Sequence, residues 1–210
     1  MIGTLSRGKK FAFIHINKTA GTSIARAFGY WEGDQSERKW KDFVKHETAV
    51  MAKKRVGADF FNEAFKFSIV RNPWDRMVSM FLHRKYVGGW IPDDMTFREW
   101  LLKIDEHKTF PLLLKRPHAL EGTRYQYTGP QLDWLVDENG EMCMDYVGHF
   151  EYLVVSWRHI CRQLGIVDPP KLPHIFKSDR KPYQTYYDDE TEQFAAERFE
   201  KDIKYFGYKF

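Results

Sequence analysis

Two short apolar runs in the first third of the chain are each followed by a polar loop and a helix signal. The runs cover residues 11–16 and 65–70, and near-continuous apolar runs of this length are typical of strands buried in a parallel sheet. Small and polar residues 17–23 separate the first run from a helical segment. After the second run, Asn72 suits the N-cap of a helix and Pro73 its first position. The pattern predicts two consecutive strand–loop–helix units.

The helix that begins at Pro73 is predicted to be amphipathic. Residues at helical spacing give it an apolar face made of Trp74, Met77, Val78 and Phe81. The same spacing leaves three polar residues on a different face: Arg76, Ser79 and His83.

The rest of the chain continues the alternation of strands and helices. Residues 145–150 are a third strand candidate and lead into a helical pattern over 151–164. Three further helices are predicted: residues 46–56, a segment that starts at Thr96 with Glu99 in a capping box, and a last helix from Asp188 or Asp189 to Gly207. Alternation of this kind predicts an α/β fold, with a central parallel sheet flanked by helices in a single domain over residues 1–210.

Composition excludes several classes of protein. The 210 residues include 43% hydrophobic and 17% aromatic residues, which is enough for a folded core. No apolar stretch reaches the roughly 20 residues of a membrane span, so we expect a cytoplasmic protein that does not bind membranes. The net charge of +4 is scattered, which argues against a nucleic-acid partner. Two cysteines without zinc spacing indicate no structural metal.

The loop after the first strand contains the chemical groups of a phosphate cradle. Lys18 supplies an ammonium, Thr19, Thr22 and Ser23 supply hydroxyls, and Gly21 permits close backbone approach at a helix start. The nucleoside-triphosphate motif G-x4-G-K-[ST] occurs nowhere in the chain. The loop is therefore P-loop-like and suits a phosphate without requiring a metal-bound triphosphate.

Both motifs resemble segments of a known enzyme family. Residues 13–23 are similar to the 5′-phosphosulfate-binding loop of sulfotransferases that use 3′-phosphoadenosine 5′-phosphosulfate (PAPS), and residues 67–79 are similar to their 3′-phosphate-binding segment. The similarity continues through residues 145–153 and 202–208. It is strongest to the carbohydrate-type (family 2-like) branch in its soluble bacterial form.

The resemblance implies a role for individual residues. His46 would be the catalytic base, since it is the only histidine between Ser23 and Arg71 and an ordinary imidazole, with a pKa of about 6.5, accepts a proton at neutral pH. His15 is interpreted instead as a packed strand residue. Lys18 would act both in catalysis and in cofactor binding. The complete set of cofactor-binding residues is Lys18, Thr19, Ala20, Gly21, Thr22, Ser23, Arg71, Ser79, Arg180 and Lys181.

The reaction implied is transfer of a sulfuryl group from PAPS, without a metal, to an acceptor hydroxyl on a carbohydrate. A nucleotide kinase with a related loop and a non-catalytic nucleotide- or glycan-binding module remain as alternatives. A small-molecule or protein-tyrosine sulfotransferase would differ only in its acceptor. The sequence does not determine the acceptor or the oligomeric state.

Overall fold

The chain divides into two units, of which the first contains the β-sheet. The computed structural model describes residues 1–5, 8–28, 46–104, 128–173 and 180–210. One unit comprises Met1–Arg71 with Gln131–Lys177, and the other comprises Asn72–Pro130 with Ser178–Phe210. We describe each unit by itself.

The first unit contains a four-stranded, mostly parallel sheet. In spatial order the strands are β1 (Ile2–Thr4), β2 (Lys10–Ile14), β3 (Phe65–Val70) and β4 (Tyr146–His149). Strands β2, β3 and β4 are parallel, whereas β1 pairs with β2 in the antiparallel direction. Because parallel strands point the same way, the segments that follow β2, β3 and β4 begin at one edge of the sheet.

Eight α-helices lie in the described ranges, four in each unit. Those of the first unit are α1 (Gly21–Ala27), α2 (Ala49–Val56), α3 (Ala58–Glu63) and α6 (Leu153–Gln163), and those of the second are α4 (Pro73–Leu82), α5 (Phe97–Leu102), α7 (Asp189–Arg198) and α8 (Glu200–Phe206). A π-helical turn, His83–Val87, extends α4, and short 3₁₀ helices cover Leu132–Trp134, Phe150–Tyr152 and Tyr183–Tyr186. No helix in these ranges is both long enough and apolar enough to cross a membrane.

Aromatic packing forms the core of the first unit. Phe13 of β2 stacks on Phe67 of β3 with ring centroids 5.0 Å apart, and both side chains are fully buried. Helix α6 covers these strands with Trp157 and Ile160. A Cβ on Gly148 would meet the Ser156 side chain at 2.6 Å, so glycine at this position allows α6 to approach β4 closely.

The second unit is a helical cluster built around α4. Asn72 caps this helix, since its side-chain oxygen accepts hydrogen bonds from the backbone N–H groups of Trp74 and Asp75. The predicted apolar face of α4 is buried against large side chains such as Trp100 and Phe199. The cap and the apolar face were both predicted from the sequence.

The predicted α/β class and parallel sheet are confirmed, and the three predicted strands correspond to β2, β3 and β4. Strand β1 and helix α3 are additional elements without a sequence prediction. The prediction of one last helix up to Gly207 is wrong, because the chain breaks at the fully buried Phe199 into α7 and α8.

Arg76, which the helical spacing places outside the apolar face of α4, is nevertheless fully buried. Its Nη2 atom donates to the carbonyl of Gly129, and its guanidinium lies 5.5 Å from the centre of the Phe199 ring. Long arginine side chains can be buried when a carbonyl and an aromatic face replace water. The contacts that bury Arg76 come from distant parts of the chain, so the spacing of residues within the helix cannot predict them.

Candidate active site

The loop between β2 and α1 has an unusual backbone. Lys18 and Ala20 both adopt the left-handed conformation, with φ of 65° and 66°, which side chains with a Cβ rarely occupy. Thr19 lies between them, is fully buried, and donates its hydroxyl proton to the carbonyl of Ile16 at 2.9 Å. Such strain persists only where surrounding contacts hold it, and it is concentrated at functional sites.

The first residue of α1 lies directly against a histidine ring. A Cβ on Gly21 would come within 1.9 Å of two atoms of the His15 imidazole, so a larger residue here would force the ring to move. His15 is 3% exposed and stacks on Phe13 with ring centroids 5.5 Å apart. His15 is therefore a packed residue, as the sequence analysis predicted.

His46 contacts the residue that precedes this loop, although the two are 31 residues apart in the sequence. Its Nδ1 lies 2.9 Å from the backbone carbonyl of His15, and the two imidazole centroids are 4.5 Å apart. A carbonyl oxygen can only accept a hydrogen bond, so Nδ1 carries the proton and Nε2 of the neutral ring keeps its lone pair. His46 also adopts a left-handed φ of 66°.

The segment that follows His46 is anchored by a partly buried ion pair. The Glu47 carboxylate is 2% exposed and accepts a hydrogen bond from Nε of Arg55 at 2.9 Å, with a second, shorter bond from Nη2. Thr48 caps α2 by accepting from the backbone N–H of Met51. Fixing the two residues after His46 restricts the position of its backbone.

Arg71, directly after β3, is held by contacts with three residues. Its backbone N–H donates to the side-chain oxygen of Gln131 at 2.9 Å, and its carbonyl accepts from the Gln131 amide at 2.8 Å. Its guanidinium lies 4.0 Å from the centre of the Phe150 ring. Finally, Nη1 donates to the carbonyl of Lys18 at 3.0 Å. Arg71 therefore supports the strained loop directly.

The remaining predicted residues belong to the second unit. Ser79 is half-buried on α4, and Lys181 is exposed. Arg180 forms an ion pair with Asp75, in which both side chains are 14% exposed. The structure thus brings Lys18–Ser23, His46 and Arg71 together within the first unit, and it pairs Arg180 with α4 in the second.

Sequence reasoning missed three residues that hold the predicted ones in place: Gln131, Phe150 and Asp75. Asp75 lies inside the second motif, four residues after Arg71. This proximity could have identified it as a candidate site residue. Gln131 lies 60 residues from Arg71, in a segment without a recognisable motif. Among the described residues, no group of three or more His, Cys, Asp or Glu side chains is arranged to hold a metal ion.

Comparison with known proteins identifies the family. The model of the sulfotransferase family matches residues 4–209. Searches of curated proteins and of solved structures found no significant match. Because the family match spans nearly the whole chain, this chain belongs to the sulfotransferase family, family 2 type, whose general activity is transfer of a sulfuryl group to a hydroxyl-bearing acceptor.

Proposed function

We propose that the sulfuryl donor is PAPS and that the acceptor is a carbohydrate hydroxyl. The observation that carries the proposal is the hydrogen bond from Arg71 Nη1 to the Lys18 carbonyl. It joins the two sequence segments that resemble the 5′- and 3′-phosphate-binding parts of PAPS enzymes. The family match runs through both units, which supports treating residues 1–210 as one functional domain.

In this proposal the β2–α1 loop binds the 5′-phosphate as a P-loop-like cradle. In anion-binding loops, left-handed residues turn neighbouring N–H groups toward a common side, and Lys18 and Ala20 have this conformation. The Lys18 ammonium and the hydroxyls of Thr22 and Ser23 add donors. The Thr19 hydroxyl proton is already donated to Ile16, so we assign Thr19 a backbone contact instead.

The chemical step is an in-line displacement at sulfur. The acceptor oxygen forms a bond to sulfur while the bond from sulfur to the bridging oxygen of the 5′-phosphate breaks. Nε2 of His46 takes the acceptor proton, because Nδ1 is committed to the His15 carbonyl. Adenosine 3′,5′-bisphosphate leaves with the electron pair, and the Lys18 ammonium offsets the charge that builds on its bridging oxygen.

Arg71 and Ser79 bind the 3′-phosphate in this proposal, and Arg180 and Lys181 supply further cations. A guanidinium suits a phosphate because its planar donors match two oxygens at once. The carbohydrate acceptor follows from the resemblance of both motifs to the carbohydrate-type branch. A nucleotide kinase is disfavoured because the chain lacks G-x4-G-K-[ST].

Ligand-induced stabilisation tests the donor. Adenosine 3′,5′-bisphosphate should raise the melting temperature more than AMP or ATP at equal concentration, because only this nucleotide carries the 3′-phosphate. An equal shift with AMP would contradict a 3′-phosphate site. Larger stabilisation by ATP with magnesium would favour the kinase alternative.

Turnover with labelled PAPS and a carbohydrate panel tests the base. His46→Ala should slow the chemical step by about 10²- to 10⁴-fold while nucleotide affinity stays near that of the wild type. His46→Gln is the matched variant, since its amide can still donate to the His15 carbonyl but has no basic nitrogen. Recovery of turnover in His46→Gln would show that His46 has only a structural role.

Lys18→Ala should lower both nucleotide affinity and turnover. Alanine is the appropriate replacement because it keeps the Cβ and hence the backbone strain at φ 65°. Unchanged binding and turnover in this variant would remove Lys18 from the mechanism. Binding of the nucleotide without transfer to any acceptor by the wild type would favour the non-catalytic module.

A further inference from the structure

A cleft lies between the last turns of α6 and the loop that follows this helix. Its volume is about 310 Å³, and it is lined by Arg158, Arg162, Gly165, Ile166, Val167 and Pro169. The Trp157 indole N–H donates to the Pro170 carbonyl at 2.8 Å. The Ile166 N–H donates to the Cys161 carbonyl, also at 2.8 Å. The loop is therefore fastened to the helix at two points, and the cleft is preformed.

The cleft lies at the opposite edge of the sheet from the candidate active site. A Cβ on Gly148 of β4 would meet the Ser156 side chain of α6. Tyr146, two residues earlier in β4, stacks on His159, three residues later in α6, with ring centroids 4.3 Å apart. Helix α6 thus runs antiparallel to β4 and ends at the amino edge of the sheet. The β2–α1 loop and Arg71 follow parallel strands and lie at the carboxyl edge.

Two arginines give the cleft its charge. Arg158 and Arg162 are exposed and four residues apart on α6, a spacing at which like charges repel each other. The helix dipole favours a cation in the last turn, which accounts for Arg162 but not for Arg158. Within the described ranges neither arginine forms an ion pair. Asp168 belongs to the loop but does not line the cleft, so two positive charges are available for an anion.

The loop side of the cleft is apolar. Val167 is 88% exposed, and Ile166 and Pro169 beside it are half-buried. Exposed apolar side chains next to two guanidiniums suit a ligand that has both an apolar surface and an anionic group. The volume lies at the lower end of the roughly 300–1,000 Å³ of small-ligand sites. It is too small for a helix about 10 Å across, so a ligand of one or two sugar units fits better than a folded segment of protein.

We propose that this cleft is a second, non-catalytic site that binds a sulfated saccharide. The guanidiniums of Arg158 and Arg162 donate to the oxygens of the sulfate group, because their planar forks of N–H donors match such oxygens. Val167 and its apolar neighbours contact the C–H surface of the sugar ring. The assignment of a saccharide rests on the proposed function, since sulfuryl transfer to a carbohydrate generates this group. The cleft would retain a saccharide that already carries sulfate, away from the site of transfer.

Calorimetry with a sulfated disaccharide and its unsulfated counterpart tests the site in the full chain, without PAPS. The sulfated form should bind at least about tenfold more tightly than the unsulfated form. Arg158→Gln and Arg162→Gln should each weaken it by about tenfold, as expected for loss of a charge-assisted hydrogen bond. Val167→Ser should weaken the disaccharide by about threefold but leave inorganic sulfate unaffected, because only the disaccharide has an apolar surface to bury.

Controls separate this site from general charge effects and from the active site. Arg98→Gln removes an exposed arginine that pairs with Asp188 and Glu190, and it should leave the affinity for the sulfated disaccharide unchanged. Saturating adenosine 3′,5′-bisphosphate should also leave it unchanged, because the cleft and the β2–α1 loop lie at opposite edges of the sheet. Melting curves without ligand check that each variant is folded.

The possible outcomes separate the cleft from the function on which it rests. Unchanged affinity in both arginine variants, or displacement by the bisphosphate, would place the disaccharide elsewhere and overturn the proposal. Equal affinity for hexaglutamate would overturn it in favour of an acidic peptide, and equal affinity for inorganic sulfate would remove the sugar contact. None of these measurements needs turnover, so a negative result at the cleft leaves the proposed function intact. Absence of sulfuryl transfer to the carbohydrate panel would instead contradict the proposed function, whatever the cleft binds.

Discussion

Gly21→Ala is a sharp test of the packing at the start of α1. The added Cβ would lie 1.9 Å from Cδ2 and Nε2 of the His15 ring and 2.6 Å from its Cε1. Ordinary contacts between such atoms are about 3.5 Å or longer, so the ring would have to move by roughly 1.5 Å. The far end of a flexible side chain could do so easily, but this ring is not free to move.

The surroundings of His15 determine the size of the effect. One neighbour is the fully buried Phe13, stacked at an interplanar angle of 11°, and another is the His46 ring with its centroid 4.5 Å away. Overpacking of a buried site costs about 1–3 kcal/mol. A glycine-to-alanine change without a clash would instead stabilise by about 0.4–1 kcal/mol. We therefore expect Gly21→Ala to lower the free energy of unfolding by about 1–2 kcal/mol.

Urea unfolding of four proteins measures the effect: wild type, Gly21→Ala, His15→Ala and the double variant. With the ring removed, Gly21→Ala should become neutral or stabilising, which gives a favourable coupling of about 1–3 kcal/mol between the two changes. Gly140→Ala serves as the control. Gly140 has φ +83° with nothing within 4 Å of a Cβ, so its cost should be the same with or without the His15 ring. Additive effects of Gly21→Ala and His15→Ala, or stabilisation by Gly21→Ala alone, would refute the reasoning.

Three further predictions concern titration, capping and metal dependence. Burial raises the pKa of the Cys161 thiol to about 12, so Cys161 should react with a thiol reagent at pH 8 only on unfolding. Since the unfolded thiol ionises first, the stabilisation by the neutral buried thiol is complete below pH 8.5 or so and is lost as the pH rises from there toward 12. Rapid labelling of the native protein at Cys161 would contradict the burial of this thiol. Hydrogen bonds with Thr191 lower the pKa of Asp188, so this helix cap stabilises above pH 4 or so and weakens as the pH falls. Asp188→Ala should therefore lower the urea midpoint at pH 7 more than at pH 3. An equal decrease at both pH values would show that the cap does not depend on the negative charge of the Asp188 carboxylate. Transfer activity should survive excess EDTA, because Lys18 and Arg71 are assigned the neutralising charge, and loss of activity restored by magnesium would support the kinase alternative.

Local sequence patterns were sufficient for the elements that carry the candidate site. The apolar runs of β2 and β3, the Asn72 cap and the capping box at Thr96 and Glu99 depend on residues within a few positions of one another. Such short-range interactions can be predicted from the sequence alone. The order of strand, small polar loop and helix likewise identified Lys18–Ser23 as the phosphate-loop candidate.

Only the tertiary structure revealed what holds these residues in place. Arg71 reaches Lys18 across 53 residues and Gln131 across 60, and His46 binds the His15 carbonyl across 31. No local pattern encodes such pairs, because they form only when parallel strands and their loops are assembled. The burial of Arg76 likewise depends on distant residues, since its contacts with Gly129 and Phe199 come from other parts of the chain. The sequence by itself determined which chemical groups are available, and the tertiary contacts decided their orientation.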